Sequence, residues 1–270
     1  MRATRDRAQD EGGDGGGGFA TFAAGPLPGR NGRRGGRDDE TAESVGIPDI
    51  VIRRLPVYVR TLRGLRGHGI HSVSSDELAD HIGVTAAQIR RDLSYFGKFG
   101  KQGKGYDTEF LAEAIAKILR LDRQWDVALA GYGNLGRAIA HYRGFVPSSF
   151  TIAAIFDHNP EHVGQRVDAL TVLRDDRITD VIRRAGIRIG IVAVPATAAQ
   201  DVADRMIAGG VRALLNYAPV VLKVPPAVTV REIDPVSAMQ SMTYYLDDDE
   251  PSAISDQPSA SRVRLARSDP

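Results

Sequence analysis

The sequence predicts an α/β chain in two parts, a winged helix-turn-helix followed by a Rossmann-type sheet with a closing C-terminal helix. Three observations predict it. Two short helix patterns with capping signals flank Gly83, and a loop of four glycines and three lysines follows them directly (97–106). Downstream, an apolar run meets Gly131-Tyr132-Gly133-Asn134-Leu135-Gly136, and a second apolar run ends at Asp157. Apolar runs and amphipathic segments then alternate to about residue 246, as a sheet covered on both faces requires.

Composition sets the bounds. A chain of 270 residues is long enough for one large or two modest domains. Zero cysteines exclude disulfides, Cys-ligated zinc, iron–sulfur clusters and thiol chemistry. No secretory signal is visible and no apolar run approaches the ~20 residues of a membrane span, so a cytoplasmic location is expected. The net charge of +1 hides an asymmetry: residues 47–106 carry ten Lys/Arg against five Asp/Glu, whereas residues 107–246 carry fifteen of each. A basic block of that size suggests a polyanionic partner.

Residues 1–46 hold twelve Gly and little that could form a core, and residues 247–270 open on Asp247-Asp248-Asp249-Glu250. Both read as disordered tails. Between them, a helix pattern from about Ile50 to Leu65 places Leu55, Val59 and Leu62 at i, i+4, i+7 among five arginines, although Pro48 and Pro56 weaken its first half. Ser74 and Glu77 form a capping-box signal for a helix that stops at Gly83. Thr85 and Gln88 form another, opening a helix from Ala86 to Phe96. This is a helix-turn-helix pattern. In its second helix Ile89, Leu93 and Phe96 form the stripe expected to be buried, leaving Gln88, Arg90, Arg91, Ser94, Tyr95 and Lys98 outward.

An ordinary solvated helix face would look similar, but the cationic glycine loop that follows favours DNA. Arg suits guanine edges, and Ser, Tyr and Lys suit phosphates. After the loop, residues 107–124 read as a linking helix capped by Asp107, with Leu111, Ile115, Ile118 and Leu119 on one stripe.

Residues 125–234 read as the Rossmann domain. Gly131 makes the tight turn, Gly133 admits a pyrophosphate, and Gly136 lets helix and strand pack closely; Tyr132, Asn134 and Leu135 complete the loop. Asp157 lies 21 residues beyond Gly136, where it would accept hydrogen bonds from an adenosine ribose. A carboxylate there repels a 2′-phosphate and no Arg follows it, so NAD(H) is expected over NADP(H). A βα turn with no ligand would use the same glycines. Further strands are expected at 187–194, 211–216 and 229–233, with a helix at 196–207. Residues 235–246 read as an amphipathic helix with Val236, Met239, Met242 and Tyr245 apolar, suited to a groove in its own chain or in a second subunit.

Catalysis has no visible apparatus. Between 158 and 246 only His158, His162 (in a turn expected to be exposed) and Lys223 are available, with no Tyr-x-x-x-Lys and no metal-spaced cluster. A nucleotide site without an attached reaction is expected. The alternatives are an NAD-dependent oxidoreductase with a fused DNA-binding domain and, more weakly, a CoA-binding or scaffold protein on a similar sheet.

Taken together, the chain resembles the Rex family of redox-sensing transcriptional repressors. The resemblance rests on residues 54–60 (RLPVYVR), 89–106 (IRRDLSYFGKFGKQGKGY), 131–145 (GYGNLGRAIAHYRGF), 155–160 (IFDHNP), 194–200 (VPATAAQ), 214–219 (LLNYAP) and 244–246 (YYL). It implies a homodimer that holds a palindromic operator when NAD⁺ dominates and leaves it when NADH rises, with the last helix swapped into the partner. By position it implies base contacts from Arg90 and Arg91 and phosphate contacts from Ser94 and Tyr95. The wing lysines Lys101 and Lys104 would approach the minor groove. Arg60, Tyr142 and Asp234 match a polar trio that reports cofactor state between the domains. Two positions depart from the family pattern: Gln102 stands where the wing commonly has Arg, and Pro235 where a large apolar residue commonly follows the Asp.

Overall fold

The computed structural model describes residues 46–100 and 105–246. The expected tails (1–45 and 247–270) and the wing tip with Lys101, Gln102 and Lys104 lie outside the described residues.

Helix α1 spans Asp49–Gly67 and runs through Pro56 without breaking. Leu55, Tyr58, Val59, Leu62 and Leu65 recur at helical spacing and are buried, and this face outweighs the one ladder bond that a proline nitrogen cannot make. Strand β1 (Ser72–Val73) leads into α2 (Ser75–Ile82). The Ser74 hydroxyl accepts from Glu77 N–H (3.1 Å) and the Glu77 carboxylate accepts from Ser74 N–H (2.7 Å), so this capping box is complete. Gly83, at φ +78°, ends α2 in the left-handed region.

Helix α3 covers Ala86–Ser94, two residues shorter than expected, because the Phe96 N–H bonds back to Leu93 and Gly97 turns away at φ +125°. The second capping box is only half made. Thr85 Oγ1 accepts from Gln88 N–H (3.1 Å), but the Gln88 side chain turns instead to Asp92. Strand β2 (Tyr106–Asp107) pairs antiparallel with β1, Val73 opposite Tyr106, and closes the base of the wing. A Cβ on Gly105 would fall 2.6 Å from the Val73 carbonyl, so only glycine fits there.

Helix α4 (Thr108–Ile118) is capped by Asp107 as expected, but it does more than link two domains. Leu111, Ala112 and Ile115 are built into the same core as Leu55, Leu62, Leu78, Ile89 and Leu93.

The second part is a seven-stranded sheet. Its strands are β3 (Trp125–Ala130), β4 (Phe150–Asp157), β5 (Arg166–Val167), β6 (Leu170–Arg174), β7 (Ile189–Val192), β8 (Ala213–Asn216) and β9 (Thr229–Glu232). They are ordered β5-β6-β4-β3-β7-β8-β9 and all neighbours are parallel except the β5–β6 hairpin. Successive residues of β3 alternate between two cores. Val127 and Leu129 join Ile139, Ile155, Val172 and Ile191, while Ala128 and Ala130 join Phe156, Ile178, Ile182 and Met206.

Helix α5 (Asn134–Ala140) contributes Ile139 to the first core. Helices α6 (Ile178–Ala185) and α7 (Ala196–Gly209) cover the other face. Strands β5 and β6 and helix α6 are not among the expected elements, and several strands begin a residue or two from their expected positions. Helix α8 (Pro235–Thr243) stops three residues before the expected Leu246, which is the last described residue, and has no buried residue. Among the described residues no helix is long and apolar enough to cross a membrane.

Candidate nucleotide and nucleic-acid sites

Strand order reverses at β3, whose neighbours β4 and β7 lead away in opposite directions, and the glycine turn sits at its C-terminal end. In an open α/β sheet this crevice is where ligands bind. The three glycines have different surroundings. Gly131 has φ +95°, and a Cβ there would stand 2.2 Å from the Ala193 carbonyl. On Gly136 a Cβ would stand 1.9 Å from the Gly131 carbonyl. Both are demanded by packing. Gly133, which caps α5, has no heavy atom within 4 Å of an added Cβ. Its openness is a space that a methyl would fill, directly before the first-turn N–H groups of Asn134, Leu135 and Gly136. The arrangement fits a pyrophosphate.

Asp157 ends β4 beside this turn and is 7% exposed. Its Oδ2 accepts from Tyr132 N–H (2.5 Å) and its Oδ1 from Asn159 N–H (2.7 Å). The carboxylate therefore fastens the glycine turn, a task that sequence reading did not foresee, and each oxygen keeps lone pairs for a ribose diol. Burial works against ionisation, but the Tyr132 and Asn159 donors and His162 outweigh it and hold the carboxyl below its ordinary value. His162 is not in an exposed turn as expected. Its side chain is 20% exposed, its ring meets Tyr132 edge-on, and its buried Nδ1 lies 3.3 Å from Asp157 Oδ2 without the alignment of a hydrogen bond. Tyr132 is itself buried, with the Arg137 guanidinium 5.0 Å over its ring. Leu135 is exposed at the mouth.

At the same C-terminal edge of the sheet, Asn216 closes β8. Buried in full, it donates to the Ala218 and Val220 carbonyls (3.2 and 2.8 Å) and accepts from Ala218 N–H (3.0 Å), which shapes the loop 217–222. A polar residue ending a strand before Ala-Pro was the available signal.

Among the described residues no hydrogen bond, ion pair or ring contact joins Arg60, Tyr142 and Asp234. Arg60 is exposed on α1, and Tyr142 is exposed and meets Phe145 edge-on at 5.1 Å. Asp234 caps α8, accepting from Val236 N–H and Ser237 N–H (3.0 and 3.1 Å). Pro235 takes the first position of α8, where its missing N–H costs nothing.

On the N-terminal part, Arg90, Arg91, Ser94, Tyr95 and Lys98 are exposed on and just beyond α3. Arg90 donates to Ser75 Oγ (2.7 Å), which ties it to the start of α2, and Ser94 Oγ donates to the Arg91 carbonyl (2.7 Å). Among the described residues the Arg91 guanidinium has no partner. Arg90, Ser94 and Lys98 line an open groove of about 560 Å³ with Ser74, Phe99 and Tyr106. Sequence reading missed Asp92. It is wholly buried on α3 and carries the largest polar network of this part: Arg54 donates to both its oxygens (2.6 and 2.8 Å), Tyr58 to Oδ2 (2.6 Å) and Gln88 to Oδ1 (2.6 Å). Burial opposes the charge on Asp92, and these donors overcome it, leaving the carboxyl below its usual range. Burial and the neighbouring carboxylate push the Tyr58 phenol well above its usual value. Among the described residues there is no metal-binding cluster.

Comparison with known proteins adds to this geometry. A family model described as "Putative DNA-binding protein N-terminus" matches residues 46–94, and one described as "CoA binding domain" matches residues 122–220. A "Redox-sensing transcriptional repressor Rex" of Roseiflexus sp. (strain RS-1) is 54% identical over 211 residues, which is 78% of this chain and 96% of that protein. The protein of the same name from Streptomyces coelicolor is 42% identical over 75% of this chain and 78% of its own length. Two solved structures are also similar. One is of RSP in complex with β-NAD⁺ and operator DNA (TM-score 0.71, 40% identity, 74% of this chain and 92% of that one). The other is of RSP in complex with β-NADH (TM-score 0.67, 38% identity, 77% and 95%).

Proposed function

The chain belongs to the Rex family of redox-sensing transcriptional repressors, and from that premise we propose that it holds a palindromic operator with NAD⁺ bound and releases it when NADH binds. The observation that carries this reading is the pairing, in one chain, of an exposed cationic α3 with a glycine turn whose Gly133 leaves room for a pyrophosphate beside a buried carboxylate. The family's relatives are repressors, and the chain is not an enzyme.

Gly131, Tyr132, Gly133, Asn134, Leu135, Gly136 and Asp157 form the adenosine and pyrophosphate end of the site. That end supplies affinity and little discrimination, because NAD⁺ and NADH differ only at the nicotinamide. Tyr142 and Asp234 serve that far end, and with Arg60 they pass the difference to the DNA-binding part. Arg90 and Arg91 address base edges, while Ser94, Tyr95 and Lys98, with Lys101 and Lys104 of the wing tip, address phosphates and the minor groove.

The working unit is a homodimer in the cytoplasm. Helix α8 supports this: Val236, Met239 and Met242 are each more than half exposed, as are Tyr244, Tyr245 and Leu246 after it. An apolar helix with nothing beneath it in its own chain suits a groove in the partner. A ligand moves such an equilibrium only by its differential affinity, and a coupling of roughly 1–3 kcal/mol would change operator affinity ~5–150-fold.

A CoA ligand is disfavoured. Asp157 beside the ribose position repels a phosphate on either ribose hydroxyl, whereas a free diol satisfies it. The deciding experiment is a mobility shift on the DNA upstream of the chain's own gene, with NADH added against NAD⁺. Release by NADH alone is expected; tight NADH binding that left the shift unchanged would overturn the reading. Turnover of NADH with a small carbonyl substrate would instead favour an oxidoreductase.

A further inference from the structure

Asp92 stands out because it points the wrong way for its neighbourhood. Its helix presents Arg90, Arg91 and Ser94 to solvent, yet Asp92 is fully buried and accepts four hydrogen bonds, three of them from α1. A buried ion pair is seldom kept for stability alone, since well-packed apolar residues serve as well; its best-attested use is to fix one geometry among several. Here the geometry is that of α3. Ile89 and Leu93 give the helix an apolar seat, and such contacts are non-directional, so they permit roll and sliding. The Arg54 fork, with two donors on the two oxygens of one carboxylate, does not.

The fourth bond concerns the reading surface itself. Gln88 is the third residue of α3, in the turn that enters a major groove when a helix-turn-helix docks. Its amide could be placed either way round, but only the NH₂ can face a carboxylate, and Nε2 lies 2.6 Å from Asp92 Oδ1. Oε1 has no partner among the described residues, which leaves an acceptor at the half-exposed end of the side chain.

We propose that Asp92 is a positioning residue for base recognition: braced by Arg54 and Tyr58, it holds Gln88 with its carbonyl oxygen outward. Gln88 then reads a base that offers a major-groove amine, adenine N6 or cytosine N4. This rests on the DNA-binding reading above.

The test uses the full chain and a duplex that it selects from a random-sequence pool, with affinity compared against a scrambled duplex. Gln88→Leu and Asp92→Asn should each lower the selected-to-scrambled ratio about tenfold, the size of one good base contact. They should leave NADH affinity and the salt slope of scrambled-duplex binding unchanged, neither of which a specificity contact touches. Combined, they should cost no more than Asp92→Asn alone, since both act through one amide. A ratio within about twofold of wild type for Gln88→Leu would overturn the proposal, as would effects that simply add. If Asp92→Asn fails to fold, Gln88→Leu decides by itself, because its side chain reaches the surface. A wild-type chain that selects no sequence at all would sink the DNA-binding reading instead.

Discussion

The three glycines of the nucleotide turn give opposite forecasts for one chemical change, the addition of a single methyl. At Gly133, φ is −73° and ψ −161°, which alanine adopts freely, and the new Cβ meets nothing within 4 Å. The small loss from alanine as a helix cap is offset by the reduced freedom of the unfolded chain, so stability should change by less than about 0.5 kcal/mol. The methyl, however, occupies the space through which phosphate oxygens approach the backbone. Displacing the ligand by roughly 1.5 Å stretches two charge-assisted hydrogen bonds beyond reach, a loss of about 3–6 kcal/mol or at least ~100-fold in Kd.

Gly136→Ala reverses the pattern. Its Cβ would lie 1.9 Å from the Gly131 carbonyl, against about 3.5 Å for ordinary contact, so helix and strand must part. Overpacking of that kind costs about 1–3 kcal/mol or more, and Tm should drop by about 2 °C at least. Gly131→Ala adds the strain of φ +95° to its own 2.2 Å approach. NADH fluorescence titration reads the Gly133 effect, and thermal melts read those at Gly136 and Gly131. If Gly133→Ala bound NADH within about threefold of wild type, the assignment of the pyrophosphate to that turn would be wrong.

Other expectations follow from the same structure. Asp92 and Asp157 both have folded-state values below those of the unfolded chain, so their stabilisation is complete above the ordinary carboxylate range and is lost as pH falls through it. Urea midpoints should therefore decline below about pH 4, and Asp92→Asn should flatten that decline while costing about 2–3 kcal/mol at neutral pH. That is less than for a fully enclosed pair, because the Arg54 side chain is 22% exposed. Tyr58 moves oppositely: its raised value keeps its contribution intact below about pH 10, to be lost only above. Unchanged acid curves for Asp92→Asn would refute this account. Met239→Asp should leave the fold's melting cooperative but convert dimer to monomer in sedimentation; a dimer that persists would place the interface elsewhere. Asp234→Asn preserves a good helix cap while removing charge, so α8 should keep its helicity and the chain should lose its NADH-versus-NAD⁺ difference in operator binding. Full discrimination in that variant would remove Asp234 from the switch.

Much of this was legible beforehand because it depends on local chemistry. Ser74 and Glu77, Gly83, Asp107, Gly131 and Gly136 act on nearby backbone, and each caps, turns or packs in the structure as its type and spacing imply. What escaped depends on partners far away in sequence. Asp92 reads as one more solvated acid until Arg54, 38 residues earlier, is found against it. His162 looked exposed because nothing local reveals Tyr132 and Asp157 beneath it. Helix α6 did carry a local signal: Ile178, Val181, Ile182 and Ala185 fall at i, i+3, i+4 and i+7 among three charges, and Ile178 and Ile182 are fully buried. The trio of Arg60, Tyr142 and Asp234 rests on resemblance alone, since no local pattern links residues so far apart in sequence.

The bare flank of α8 has a bearing on when the protein is present at all in working form. If that flank docks on a second copy, as proposed above, function is tied to mass action: dilution strips the covering away, and abundance restores it. Below some threshold of copies per cell, promoter occupancy would fall more steeply than the protein's own amount, whatever the coenzyme pool is doing.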